Sequence, residues 1–300
     1  MARPNLIAQI IGQEKAVEQV KIIVGAARAL GRCPSHCLFE GPPGTGKTTL
    51  ANVVANECGG KLVKLNGANL RAPKDVTGTL MSLEMNDIVF VDEVHRMKKS
   101  VCEFLYTALE ENYISLGPDE EDHIELPSFC FIGATTASGL LLQPLLDRIK
   151  NNVRLTLYAE DKLTQIISIR ATEINCSLPE SLCLDIAKRS RGTPRIAISY
   201  TDWVRDYVVS QGIDVVDAGH VNGAFDMLGV DKDGLNADDL KYLDYLKSYG
   251  QSSLSTLVAG TSISEDTLKY SIEPHLIRLG KIKITKAGRQ INEYATAKAN

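Results

Sequence analysis

The chain has 300 residues, 44% apolar and 23% charged, with a formal net charge of −4 and a sequence pI near 5.8. Such a chain can bury the cores of two or three compact units, and its composition is that of an ordinary globular protein. It excludes a protein that holds nucleic acid by a basic overall field, and no apolar run is long enough to span a bilayer.

The start, Met-Ala-Arg-Pro-Asn, carries no charged-then-apolar leader pattern, so the cytosol is the expected compartment. Seven cysteines, an odd number in a chain of this size, read as reduced thiols and not as a disulfide scaffold. Cys33, His36 and Cys37 invite a metal reading, but no second cluster of soft ligands completes a tetrahedral site.

Residues 36–40, 62–66, 87–92, 129–134 and 153–158 are short apolar runs with helical periodicity between them. That alternation predicts a parallel sheet covered on both faces. After Tyr158 the strand signal stops. Helical spacing fills 161–174, 180–190, 194–211 and 214–228, with Pro179 and Pro194 near helix starts. Gly229–Asn236 reads as a linker. Ala237–Ser248, Ser252–Val258 and Ser264–Leu279 follow as helices, and residues 281–291 as strand, tight turn and strand. Three helices and a hairpin make a winged-helix pattern. The expected domains are 1–158, 159–230 and 231–300.

Gly41-Pro42-Pro43-Gly44-Thr45-Gly46-Lys47-Thr48 fits G-x-x-x-x-G-K-[ST] between an apolar strand and a helix that continues through Thr49. Glycines let the backbone curl its N–H groups inward, and the helix N-terminus adds positive potential for phosphate. Lys47 is placed to reach the β- and γ-phosphates, and Thr48 to ligate Mg2+. Asp87-Ile-Val-Phe-Val-Asp-Glu93 is an apolar strand tipped by two acids. Asp92 is expected in the Mg2+ shell and Glu93 as general base for the attacking water. His95 gives a sequence superficially like the DExH box, but reads as a satisfied structural histidine.

Together these motifs resemble the AAA+ ATPases, and most closely the RuvB-type motors. The likeness runs from Ile11-Gly-Gln13 and Leu50-Ala-Asn-Val-Val-Ala-Asn-Glu57 through Val91-Asp-Glu-Val-His-Arg96, Phe131-Ile-Gly-Ala-Thr-Thr136 and Arg191-Gly-Thr-Pro-Arg195 to Glu273-Pro-His-Leu-Ile277. The resemblance implies an α/β fold: an AAA+ P-loop sheet, an all-α lid domain and a C-terminal winged-helix domain. It implies an ATP hydrolase acting as a DNA translocase or helicase. Its cofactors are ATP and Mg2+, and its form a hexameric ring on double-stranded or junction DNA. By that similarity Thr136 is the first sensor, Arg148 an arginine finger acting on a neighbouring subunit, and Arg195 the second sensor, beside Pro194. Ile10, Ile11 and Tyr158 fall where the family packs adenine. Without the resemblance, Arg148 and Arg195 read as surface ion pairs.

Leu146 stands where the family usually has an arginine. The family's RuvA-gripping hairpin corresponds to 113–126, whose turn holds four consecutive acids, Asp119 to Asp122. An acidic tip cannot enter an apolar groove without large desolvation cost, which argues against a standard RuvA contact. A solvated turn and a new partner site both remain open. Between Thr267 and Asn300, seven basic residues oppose two acids, a net +5. Lys281, Lys283, Lys286 and Arg289 are the expected DNA contacts, Arg289 in the wing turn. The alternative function is a RuvB-like loader or remodelling ATPase serving a replication or mobile-element complex without RuvA.

Overall fold

The computed structural model describes residues 4–115 and 123–292. The acids Asp119 to Asp122, and Lys298 of the basic stretch, lie outside the described residues. The chain forms two compact units, one of residues 1–162 with 193–195 and one of 163–192 with 196–300.

The first unit is built on a parallel sheet. Its strands are β1 (Cys37–Glu40), β2 (Leu62–Asn66), β3 (Ile88–Asp92), β6 (Cys130–Thr135) and β7 (Asn151–Arg154), in the order β2-β3-β6-β1-β7. The central strands are apolar almost throughout because both faces are covered. Alternation sorts their side chains. Ile88 and Phe90 face a core with α1 (Glu14–Ala29) and α2 (Lys47–Cys58). Val89 and Val91 face the other core, with α3 (Lys74–Met81) and α4 (Lys99–Glu111). Strands β4 (Tyr113–Ser115) and β5 (His123–Glu125) pair antiparallel through Ile114 and Ile124. Helix α5 (Gln143–Arg148) precedes β7.

Strand β7 corrects the sequence reading, which put it at 153–158. It pairs with β1 from Cys37↔Asn151 to Glu40↔Arg154. Side chains alternate along it: Asn152 and Arg154 are exposed, Val153 is buried, and Asn151, on the side of Val153, is half-buried and donates to His36 O, so both asparagines belong to the strand although they break the apolar run. Leu155 closes the ladder by donating its N–H to Glu40 O at 2.7 Å. Thr156 then turns to Gln13, whose side chain bonds both its N–H and its carbonyl.

The second unit begins with four helices: α6 (Glu160–Glu173, part of its first turn in the other unit), α7 (Glu180–Arg189), α8 (Pro194–Ser210) and α9 (Ala218–Leu228). Helix α9 starts four residues later than the periodicity predicts. Asp217 caps it, accepting from His220 N at 3.0 Å while His220 Nδ1 accepts from Asp217 N. The stretch 229–236 is no loose linker. Asp231 accepts from the N–H groups of Asp233 and Leu235, and Val230 and Leu235 are buried.

The winged-helix part holds α10 (Ala237–Tyr249), α11 (Leu254–Thr261), α12 (Glu265–Thr267), α13 (Glu273–Arg278), β8 (Ile282–Thr285) and β9 (Gly288–Ile291). Ser252 does not open α11, because it exchanges backbone hydrogen bonds with Arg289. The expected helix 264–279 is split by a wide π-turn at Leu268–Ile272. Pro274 lacks the N–H that an unbroken ladder would need there.

His275 couples these parts. Its Nε2 donates to Asp233 O at 3.1 Å, and Arg278 Nη2 donates to Nδ1 at 3.1 Å, which fixes a neutral ring. Burial, reinforced by Arg191 and Arg278, lowers its pKa to about 4. The unfolded chain takes up this proton near pH 6.5. Between the two values acid therefore favours unfolding, so stability present above pH 6.5 falls toward pH 4 and levels below it. His275→Asn should remove that pH-dependent loss, at most about 3 kcal/mol, in urea melts of the whole chain between pH 7 and 4.

Candidate functional site

The carboxyl ends of β1, β3 and β6 lie side by side, the usual ligand position of an open parallel sheet. From β1 the chain enters the glycine loop at Gly41. Gly44 has φ +79, and a Cβ there would come within 3.2 Å of Arg195 Cβ. Thr45, fully buried, donates to Pro42 O at 2.8 Å. Pro43 is exposed, while Pro42, Thr48 and Thr49 are half-buried.

Lys47 opens α2 with only 7% of its surface exposed. Its ammonium donates to Gly41 O at 2.7 Å and Pro42 O at 3.0 Å. Burial lowers its pKa; Asp92 and Glu93 work against that shift, and Arg195 adds to it. The loop, both acids and Arg195 therefore share one electrostatic site. Asp92 ends β3 opposite Asn66. Glu93 follows with φ +53 and starts a short 3-10 turn, Val94–Arg96. Gly67 packs against its backbone, where a Cβ would stand 2.4 Å from Glu93 O.

Thr135 ends β6, and half-buried Thr136 is the next residue. Tyr158 lies beside the glycine loop: a Cβ on Gly46 would be 3.9 Å from its hydroxyl, and one on Gly12 3.0 Å from its ring. Burial pushes its pKa up to about 12. Half-buried Ile10 and Ile11 immediately precede Gly12. Pro194 and Arg195 open α8, close to Gly44.

Other predicted residues are not gathered there. Arg148 packs on α4 of its own chain, with Nη2 2.7 Å from Glu110 and its guanidinium 4.8 Å from the Tyr106 ring centre. Leu146 packs against the apolar core. In the wing, Lys283 and Lys286 are exposed, but Lys281 pairs with Asp233 at 2.9 Å. Arg289 corrects the expected placement. It lies within β9 and not in the turn, and its Nε donates to Glu273 Oε1 at 2.9 Å. Glu273 is nearly buried and also accepts from the Tyr242 hydroxyl, so its charge needs that guanidinium.

Three residues take contacts that the motifs do not reveal, although Gln13 and His95 stand within them. Gln13 joins the first motif to the segment before Tyr158, Gly67 seats Glu93, and His95 touches both Glu93 and Thr135. The histidine is satisfied, as the sequence reading has it, but one partner is the acid at the strand tip. Its signal in the sequence is its place two residues after Glu93.

A glycine loop closed by a buried lysine and faced by paired strand-tip acids defines a P-loop ATPase of the AAA+ class. Family models match the whole architecture. The Holliday junction DNA helicase RuvB P-loop domain covers residues 2–155, the RuvB AAA lid domain 158–231, and the RuvB C-terminal winged helix domain 232–298. The RuvB subunit of the Holliday junction branch migration complex from Campylobacter hominis is 38% identical over 296 residues, covering 96% of this chain and 87% of that protein. That from Paramagnetospirillum magneticum is 38% identical over 298 residues, covering 97% and 86%. Among solved structures, a single-site mutant of Thermotoga maritima RuvB matches with TM-score 0.91 and 35% identity, over 99% of this chain and 98% of that one. The Thermotoga maritima RuvB Holliday junction branch migration motor matches with TM-score 0.89 and 35% identity, over 99% and 97%. The chain belongs to the RuvB family.

Gly67→Ala should force Glu93 to shift. A loss of about 1–3 kcal/mol in thermal melts, with ATP turnover reduced in the protein that remains folded, is the expected pair of results.

Proposed function

We propose that the chain is an ATP-driven DNA motor of RuvB type, which couples hydrolysis to translocation of duplex DNA and branch migration of Holliday junctions in recombination and repair. The observation that carries this reading is the meeting of Lys47, from the loop after β1, with Asp92 and Glu93 at the end of β3, all on the carboxyl side of the sheet. In this reading ATP lies along Gly41–Thr49, its adenine against Ile10, Ile11 and Tyr158 and its phosphates toward Lys47. Thr48 and Asp92 offer hard oxygen donors for Mg2+, a cation that takes few protein ligands and completes its shell with phosphate and water. The cation would neutralise phosphate charge. Glu93 takes a proton from water as its oxygen attacks the γ-phosphorus, and the bond to ADP breaks. Thr136 and Arg195, beside Pro194, sense the γ-phosphate.

Arg148 acts on the nucleotide of the next subunit in a homohexameric ring, so hydrolysis requires assembly. The domains of the motor are 1–158, 159–230 and 231–300, with the cytosol as its compartment; no helix among the described residues is long and apolar enough to cross a membrane. Lys283 and Lys286 supply salt-sensitive phosphate contacts. The second reading, a loader or remodelling ATPase independent of RuvA, is favoured by the four consecutive acids Asp119 to Asp122 in the sequence between β4 and β5. Branch migration of a synthetic junction by the purified chain supports the first reading. Activity that appears only with a replication or mobile-element partner supports the second.

Glu93→Gln should bind ATP yet turn it over at least about 100-fold more slowly. Arg148→Ala should bind ATP without turnover, and mixing it with Glu93→Gln protein should restore part of the activity; no restoration would remove the trans role. For DNA, Lys283→Ala with Lys286→Ala should flatten the plot of log affinity against log salt by about 2, roughly 0.9 per lost phosphate contact. Arg289→Ala should instead destabilise the fold by about 3–5 kcal/mol, because Glu273 loses its partner.

A further inference from the structure

The geometry points to His95 as a positioning residue for ATP hydrolysis, holding the Glu93 carboxylate and tying it to the tip of β6. The inference rests on Glu93 being the general base proposed above. Three contacts carry it. His95 Nδ1 lies 2.8 Å from Thr135 Oγ1. His95 Nε2 lies 3.4 Å from Glu93 Oε2. Ala137 N–H donates to the same Thr135 Oγ1 at 2.9 Å.

Donor and acceptor rules order these contacts. An ionised carboxylate only accepts, so the ring nitrogen facing Glu93 carries the proton. In a neutral ring Nδ1 then accepts, and the Thr135 hydroxyl donates to it. The hydroxyl oxygen keeps a lone pair for Ala137 N–H. Two hydrogen bonds thus run from Ala137 through Thr135 to His95, whose Nε2 stands 3.4 Å from the Glu93 carboxylate, and no group is used twice in the same role.

The surroundings fix this line. Thr135 is fully buried at the end of a central strand. His95 sits in the short turn that Glu93 begins, and Glu93 itself has a left-handed backbone backed by Gly67. The carboxylate is the one member with conformational choice, and His95 narrows it. Thr136 and Ala137 continue from Thr135 toward the turn at Ser138–Leu140 and then α5, which carries Arg148. A movement of that segment would therefore reach the carboxylate through His95. His95 itself takes no proton from water and acts only through the Glu93 carboxylate.

The test compares the full-length chain with His95→Ala, His95→Gln, Thr135→Val, Thr135→Ser and the double variant His95→Ala/Thr135→Val. Steady-state ATPase gives kcat and KM, a fluorescent ATP analogue gives affinity, and thermal melts report folding. His95→Ala and Thr135→Val should each lower kcat by about 10- to 100-fold, the range seen when a catalytic group is misplaced by an ångström or so. Analogue affinity should stay within about twofold, because Lys47 and the glycine loop are untouched. The double variant should lose no more than either single one, since both cut one line. Thr135→Ser and His95→Gln, which keep the polar links, should recover most of the activity. If His95→Ala fails to fold, His95→Gln and Thr135→Val decide alone. Wild-type kcat in His95→Ala beside an inactive Glu93→Gln would overturn the inference and leave the role of Glu93 standing. Independent, multiplying losses in the double variant would overturn it too. A Glu93→Gln protein with normal turnover would overturn the reading beneath both.

Discussion

A lysine ammonium with almost no water around it constrains the first unit. Removing such a charge from solvent costs several kcal/mol unless other groups replace the lost hydration. For Lys47 the replacements are two loop carbonyls and the field of Asp92 and Glu93. The carbonyls require the loop to curl tightly after β1. The acids require β3 to end at the same level as β1, with β6 between them. A parallel sheet provides this arrangement, since all its strands finish on one side. The dependence runs both ways. Two carboxylates at one strand tip repel each other, and the lysine makes them tolerable.

The second unit meets the same constraint with arginine. Arg191 reaches fully buried Asp239 and donates to Gly234 O, while Arg278 donates to the Arg191 carbonyl. Arg289 neutralises Glu273, and Arg189 lies on the Phe225 ring while bonding Asp185 and Asn222. A planar fork with five donors can satisfy a carboxylate and a carbonyl together, which an ammonium does less well. These pairs join the lid helices to α10, and the wing to α13, so the parts of this unit pack as one body. Removing either member would leave a buried charge alone, a larger penalty than the pair's net benefit.

Sequence periodicity located β1, β3 and β6 to within a residue, because strands covered on both faces must be continuously apolar, and it located the edge strand β2 by Leu62, Val63 and Leu65 although Lys64 and Asn66 are exposed. It misplaced β7, where Asn152 faces water and Asn151 spends its side chain on the His36 carbonyl. Helix starts were legible at Glu180 and Pro194, where prolines mark them, and at Ala237, which Asn236 caps, but α9 starts four residues past the periodic signal, after its cap Asp217. The glycine loop and the strand-tip acids were legible because the chemistry demands fixed residue types at fixed spacing. His95 was not, since its role depends on Thr135, forty residues away in sequence and one hydrogen bond away in space. Gly67 escaped for the same reason: only a tertiary contact with Glu93 explains it.

Charge counting fails most instructively in the wing. Of the basic residues that make the C-terminal stretch +5, Lys269 pairs with Glu265, Arg278 with His275 and the Arg191 carbonyl, Lys281 with Asp233, and Arg289 with Glu273. Lys283 and Lys286 remain exposed with no ion-pair partner among the described residues. A protein of net charge −4 repels DNA at long range. Two lysines matter only within about a Debye length, roughly 8 Å at physiological salt. One copy is therefore a weak electrostatic ligand for a duplex. In the proposed ring the pair would be repeated around the duplex, and linked weak contacts would add as avidity. On this account the same assembly that would bring Arg148 to a neighbour's nucleotide also gathers enough positive charge to hold DNA, so turnover and grip would rise together.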